Sequence, residues 1–117
     1  HTSSFPDGTY GGQHGGFILE SDGKCVYIAG DTALTMDMKI IPMQYELDLA
    51  ILPVGDNFTM GIDDAVIASD WVECDKILGY HYDTFPYIEI DTADAVKKFE
   101  AKGKELILLE IGASMEV

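Results

Sequence analysis

The chain is poor in cations, in cysteine and in long apolar runs, and each shortage excludes a class of function. Seven basic residues stand against 21 acidic ones, for a formal charge of −14. Nucleic-acid binding depends on Lys and Arg displacing counterions from phosphates, so this surface repels DNA and RNA. The two cysteines, Cys25 and Cys74, form no CxxC pair, and each falls within an apolar or helical pattern. Neither a zinc ribbon nor a disulfide framework is expected, and a reducing cytoplasm is the modest inference. No stretch approaches the roughly 18 to 20 apolar residues that span a bilayer, and no basic segment leads into an apolar one at the N-terminus. A membrane or secretory role has no support. There is no Gly-x-Ser-x-Gly elbow and neither cysteine neighbours a histidine, so serine or cysteine hydrolase chemistry lacks its residues. Repeats, low-complexity tracts and linkers are also missing, and with them any sign of a second domain.

What is present is a chain of 117 residues, 47% hydrophobic and 10% aromatic, enough to fill one core. It begins with His rather than Met, in a polar His-Thr-Ser-Ser segment with no element before it. The parent protein is expected to extend upstream.

After a Gly-rich opening, residues 17–20 and 25–29 read as two strands joined by a turn at Asp22-Gly23, a hairpin signal. Residues 37–45 read as a short helix or turn made irregular by Pro42. The apolar run 48–54, bounded by polar and turn residues, reads as a strand buried on both faces. Ile62, Ala65, Val66, Ser69 and Val72 recur at helical spacing behind Asp63 and Asp64, which suit the positive end of a helix dipole, and predict a helix over 62–73. Residues 76–80 read as another buried strand. A second helix is expected over 92–101, capped by Asp91 or Thr92 and stopped by Gly103. Residues 105–110 and 114–117 read as closing strands. Alternating apolar strands and helices imply an α/β sheet covered by helices on one face, the other face lacking a partner within the chain.

Three polar groups fall just beyond strand ends or at the chain entry: His1, Asp31 and His81. Strand ends of α/β sheets are where ligands and catalytic groups gather. Imidazole and carboxylate suit Zn, Mn or Fe, and a carboxylate bridges two ions where an imidazole does not. The plainer alternative makes Asp31 a turn cap and His81 a partly buried hydrogen-bonding residue.

Resemblance favours the metal reading. His1, Ser3 and Ser4, then the string 27–32 (Tyr-Ile-Ala-Gly-Asp-Thr), then 52–61 (Leu-Pro-Val-Gly-Asp-Asn-Phe-Thr-Met-Gly), then 81–86 (His-Tyr-Asp-Thr-Phe-Pro) occur in that order. Together they resemble the second half of the metallo-β-lactamase superfamily, in its branch of small metal-dependent hydrolases related to sugar-phosphate lactonases. The resemblance covers nearly the whole chain. It implies that His1 is a ligand of one ion, Asp31 bridges both and His81 is a ligand of the other, with Asp31 and His81 central to catalysis. It also implies that residues 1–117 are the C-terminal half of a four-layer αβ/βα sandwich. The remaining ligands would come from an upstream His-x-His-x-Asp-His motif that this sequence does not contain.

Three ligands divided over two ions leave each with two, short of the usual three for a catalytic metal. This half alone is therefore expected to bind metal weakly and hydrolyse nothing. With the upstream half, two divalent ions, most suitably Zn with Mn or Fe as alternatives, would lower the pKa of a shared water toward about 7 and supply a hydroxide nucleophile. The expected substrate is a small ester, lactone or phosphate-containing metabolite. Nucleases are disfavoured by the charge, and a β-lactamase proper by the motifs. The contrasting reading is a scaffold or metal-binding subunit without catalysis, and a homo-oligomer is left open.

Asp56, Asn57 and Thr59 follow a buried strand on the same rim and read either as supports for the ligands and substrate, or as a turn followed by a helix cap. Asp83 and Thr84 read either as groups holding His81 in one tautomer or as a turn leading to Pro86. His14 matches no ligand of the family and reads as a loop residue. Trp71 and the methionines read as core.

Overall fold

The computed structural model describes residues 4–117. His1, with its expected ligand role, lies outside the described residues. Five strands form one sheet in the order of the sequence: β1 (Phe17–Ser21), β2 (Lys24–Ile28), β3 (Leu49–Pro53), β4 (Lys76–Tyr80) and β5 (Glu105–Ile107). The β1–β2 pair is antiparallel, and β2 to β5 run parallel. The hairpin turn needs two residues with positive φ, and Asp22 (52°) and Gly23 (74°) supply them.

Each parallel step requires a crossover. Between β2 and β3 it is a 3₁₀ helix, Met36–Met43. Pro42 lies inside it and removes a backbone donor, so the short i→i+3 pattern replaces an α-helix. Helix α1 (Ile62–Trp71) carries Asp63 and Asp64 in its first turn, where the dipole favours them. Helix α2 (Thr92–Glu100) is capped by the Asp91 carboxylate, which accepts from the Asp94 backbone N–H at 3.1 Å. It ends at Glu100, and the φ of 72° at Gly103 lets the Lys104 N–H turn back to the Phe99 carbonyl at 3.0 Å.

One face of the sheet is packed. Tyr27, Ala50, Leu52, Ile77 and Leu106 meet Ala65 and Ala68 of α1, Val72 just after it, Ala95 and Phe99 of α2, and Met38 of the 3₁₀ helix in a single cluster. The alternate positions face the other way. Phe17, Ile28, Ile51, Leu78 and Ile107 are register partners in one row across all five strands, and none is fully buried. The α/β sheet with helices on one face is thus the observed architecture.

Three expectations need correction. The last strand stops at Ile107, not 110, and residues 114–117 form no strand. Having no neighbour beyond β5, the chain turns at Glu110, whose carbonyl accepts from the Ala113 N–H. The methionines divide: Met38 and Met60 are core, whereas Met36 and Met43 are exposed because the 3₁₀ repeat turns them outward. Trp71, expected in the core, packs against it from the end of α1 while half-buried, with the Lys39 ammonium 4.7 Å from its ring centroid.

Candidate metal centre

Because β2, β3 and β4 run parallel, the loops after them open at the same edge of the sheet. Asp31 follows β2 and His81 follows β4, with β3 between them. Adjacent strands lie about 4.8 Å apart, so the two backbones start roughly 10 Å from each other. Their side chains converge over the end of β3: His81 Nε2 lies 3.8 Å from Asp31 Oδ2. That separation exceeds a hydrogen bond. It approaches the roughly 3.4 Å expected between two atoms held at about 2.1 Å by one tetrahedral ion.

The loops that carry the pair are laced together. The Met60 N–H donates to the Thr32 carbonyl at 3.0 Å, joining the β2 and β3 loops. Asn57 Nδ2 donates to the Tyr87 carbonyl, joining the β3 and β4 loops. Within the β4 loop, the Asp83 N–H donates to the Ile88 carbonyl at 2.8 Å, and Asp83 Oδ1 accepts from the Ile90 N–H at 2.8 Å. Gly55 lies so close to His81 that a Cβ there would sit 2.1 Å from the His81 carbonyl oxygen. Only glycine permits that approach. Gly30, just before Asp31, has φ of 71°, and a Cβ there would lie 3.2 Å from the Gly15 carbonyl oxygen, a tight but less extreme approach.

Backbone strain gathers here. Asp56, Asn57, His81 and Asp83 all have φ between 57° and 63°, a left-handed conformation unusual for residues with a Cβ. Such strain persists only where surrounding contacts impose it, and it often accompanies function.

The His81 imidazole is largely enclosed and the Asp31 side chain is mostly exposed. His81 Nδ1 is buried without a hydrogen-bond partner, as is the Tyr80 hydroxyl. An unpaired buried polar atom costs about 1–3 kcal/mol, so these two call for partners beyond the described contacts. Metal-ligating histidines normally engage their second nitrogen with another group, and this donor set fits a divalent ion on the Nε2 side. The Tyr80 phenol is pushed up to about 12, first by burial and then by the Asp31 charge. Beside His81, a cleft of about 740 Å³ is lined by Leu78, Tyr80, Thr84, Leu109 and Ile111. Leu78 belongs to the unpacked face, so the cleft opens where the sheet lacks cover.

The other sequence candidates are placed as follows. Asp56 turns toward the start of α1: a Cβ on Gly61 would lie 3.0 Å from its carboxyl carbon. Asn57 ties two loops. Thr59 makes a long 3.4 Å contact to the Met60 carbonyl and does not cap α1, whose N-cap is Gly61. Asp83 clips its own loop and makes no bond to His81. His14 is exposed. Among the described residues, no three His, Cys, Asp or Glu side chains are arranged to hold a metal ion.

Sequence reading overlooked Tyr80, Gly55 and the rings of Phe58 and Phe85, whose centroids lie 5.9 Å apart. Tyr80 stands directly before His81, a position that signals proximity. Nothing in the residue order pairs Phe58 with Phe85.

A family profile described as the β-lactamase superfamily domain matches residues 1–81. A metal-dependent hydrolase of Christiangramia forsetii is 70% identical over 117 residues, covering all of this chain and 52% of that protein. A solved metallo hydrolase from Ignicoccus hospitalis is 34% identical with a TM-score of 0.80, over 96% of this chain and 48% of its own. A Thermotoga maritima structure, described as a candidate Zn-dependent hydrolase of the metallo-β-lactamase superfamily, shares the fold at 19% identity and a TM-score of 0.64, over 92% of this chain and 61% of its own. The chain spans about half the length of the curated relatives it matches.

Proposed function

Since the chain belongs to the β-lactamase superfamily, we propose that it is the C-terminal half of a metal-dependent hydrolase, and that Asp31 and His81 hold two divalent ions together with His1 and ligands from an upstream half. The relatives are named metal-dependent hydrolases. The approach of Asp31 Oδ2 and His81 Nε2 to 3.8 Å across an intervening strand is the observation that carries the reading.

When bound, the ions polarise the scissile carbonyl or phosphoryl oxygen and acidify the attacking water. The chain's own residues supply position. Gly55 and the left-handed backbone of His81 aim the imidazole, Gly30 turns Asp31 over the strand end, and the Asn57–Tyr87 bond keeps the β3 and β4 loops in register. In ester or lactone hydrolysis, water's oxygen bonds to the acyl carbon, the acyl C–O bond breaks and a proton passes to the departing oxygen. The uncovered sheet row and the unpaired His81 Nδ1 suit an upstream half that brings the second sheet and the His-x-His-x-Asp-His ligands. Zn fits the imidazole and carboxylate set, with Mn or Fe as alternatives. The substrate class is a small ester, lactone or phosphate-containing metabolite.

The incomplete donor set among the described residues favours one other reading, a scaffold half without catalysis. Metal analysis of the full-length parent and of the 1–117 chain separates the two. Two ions per parent chain, reduced by at least one in His81→Ala, are expected. No metal in either protein would establish the scaffold.

A further inference from the structure

The loops after β3 and β4, at the same edge of the sheet as Asp31 and His81, carry exposed aromatic rings and no lysine or arginine. Phe58, after β3, and Phe85, after β4, are 59% and 40% exposed, and their rings tilt at 41° to each other. They come from separate loops, so their meeting is imposed by the lacing between those loops. Phe58 follows two consecutive left-handed residues, Asp56 and Asn57, and the Asn57 side chain holds the Tyr87 carbonyl just after Phe85. Gly55 presses the same loop against the His81 carbonyl. The ring pair is thus mounted on the backbone that aims the candidate ligand. Solvent-exposed rings gain nothing from burial until something covers them.

The charge pattern narrows what does. The chain has no arginine, and its seven lysines are residues 24, 39, 76, 97, 98, 102 and 104, none of them in the loops after β2, β3 or β4. Those loops carry Asp31, Asp56, Asp83 and Glu89 instead. Away from the metal ions, a phosphate or carboxylate on the substrate would meet like charge in these loops and no cationic side chain.

Resting on the hydrolase reading, we propose that Phe58 and Phe85 form an apolar seat beside the metal centre, and that the substrate is a neutral ester or lactone whose apolar or aromatic group stacks there. Offset and tilted ring contacts of this kind add to simple area burial and set orientation. The two phenylalanines determine specificity and touch none of the reacting atoms.

The test uses the metal-loaded full-length parent, a neutral aryl ester, and the same ester carrying a phosphate on its ring. The neutral ester is expected to show a kcat/KM at least about tenfold higher. In Phe58→Ala/Phe85→Ala its KM should rise roughly tenfold, with kcat within about twofold and metal content unchanged. Phe58→Leu/Phe85→Leu should fall between. An unchanged KM in the alanine variant, preference for the phosphorylated ester, or a change in molar mass in place of KM would overturn the proposal. If the parent holds no metal and cleaves neither ester, the hydrolase reading fails separately. The seat is then judged by NMR line broadening of phenylacetamide, expected with the parent and lost in the alanine variant. Equal broadening in both proteins would overturn it.

Discussion

Of the glycines whose surroundings are described, Gly55 has the tightest fit: an added methyl would lie 2.1 Å from the His81 carbonyl oxygen and 2.9 Å from Ile88 Cβ. Neither neighbour yields easily, since one is backbone and the other is fully buried. Gly55→Ala is therefore expected to destabilise by about 1–3 kcal/mol in urea unfolding, as overpacking does. By pushing the His81 backbone, it should also weaken metal retention in the full-length protein. Normal metal content with unchanged stability would show that the approach does not position the imidazole. At this scale Asp31 and His81 were legible beforehand, because family strings surround them. Tyr80, Phe58 and Phe85 were not, because strand direction and loop lacing bring them to the rim.

Among the elements, the end opposite the site is held by one buried lysine. Lys104, ahead of β5, reaches Asp70 near the end of α1 at 3.2 Å and Asp75 ahead of β4 at 3.1 Å. It also donates to the Cys74 carbonyl at 3.3 Å. Its side chain is 6% exposed, while both carboxylates are largely in water. The asymmetry decides which change is costly. Lys104→Met should lie within about 1 kcal/mol of the parent sequence, whereas Asp70→Asn/Asp75→Asn, which leaves the buried ammonium with neutral acceptors only, should cost about 1–3 kcal/mol. Urea midpoints measured on both variants check the order, and the reverse order would make the lysine a net contributor. The helices and the first four strands were readable from periodicity and turn residues. The strand expected over 114–117 was not realised, because a strand needs a neighbour with free backbone groups and periodicity does not supply one.

For the whole molecule, burial favours neutral side chains. Burial is the main cause that pushes the Tyr27 phenol and the Cys74 thiol up; Tyr80 and Asp37 add to it at Tyr27, while at Cys74 a hydrogen bond to the Lys76 carbonyl partly offsets it. Both groups keep their protons in the folded chain to higher pH than in the unfolded one. Between the ordinary values near 8.5 and 10 and the raised folded values, the unfolded state therefore holds fewer protons, and stability falls as pH rises. A decline in the urea midpoint beginning near pH 8.5 is expected, with tyrosinate absorbance tracking unfolding. A flat profile to pH 11 would contradict the burial.

Alone, the sequence determined the class of fold, the acidic surface and the two candidate ligands that follow β2 and β4, since alternation, helical spacing and short motifs are local properties of the chain. Tertiary structure alone decided that Asp31 and His81 meet over β3 and that Phe58 finds Phe85. Those facts depend on parallel pairing between distant strands, and residue order does not specify where distant side chains end up in space.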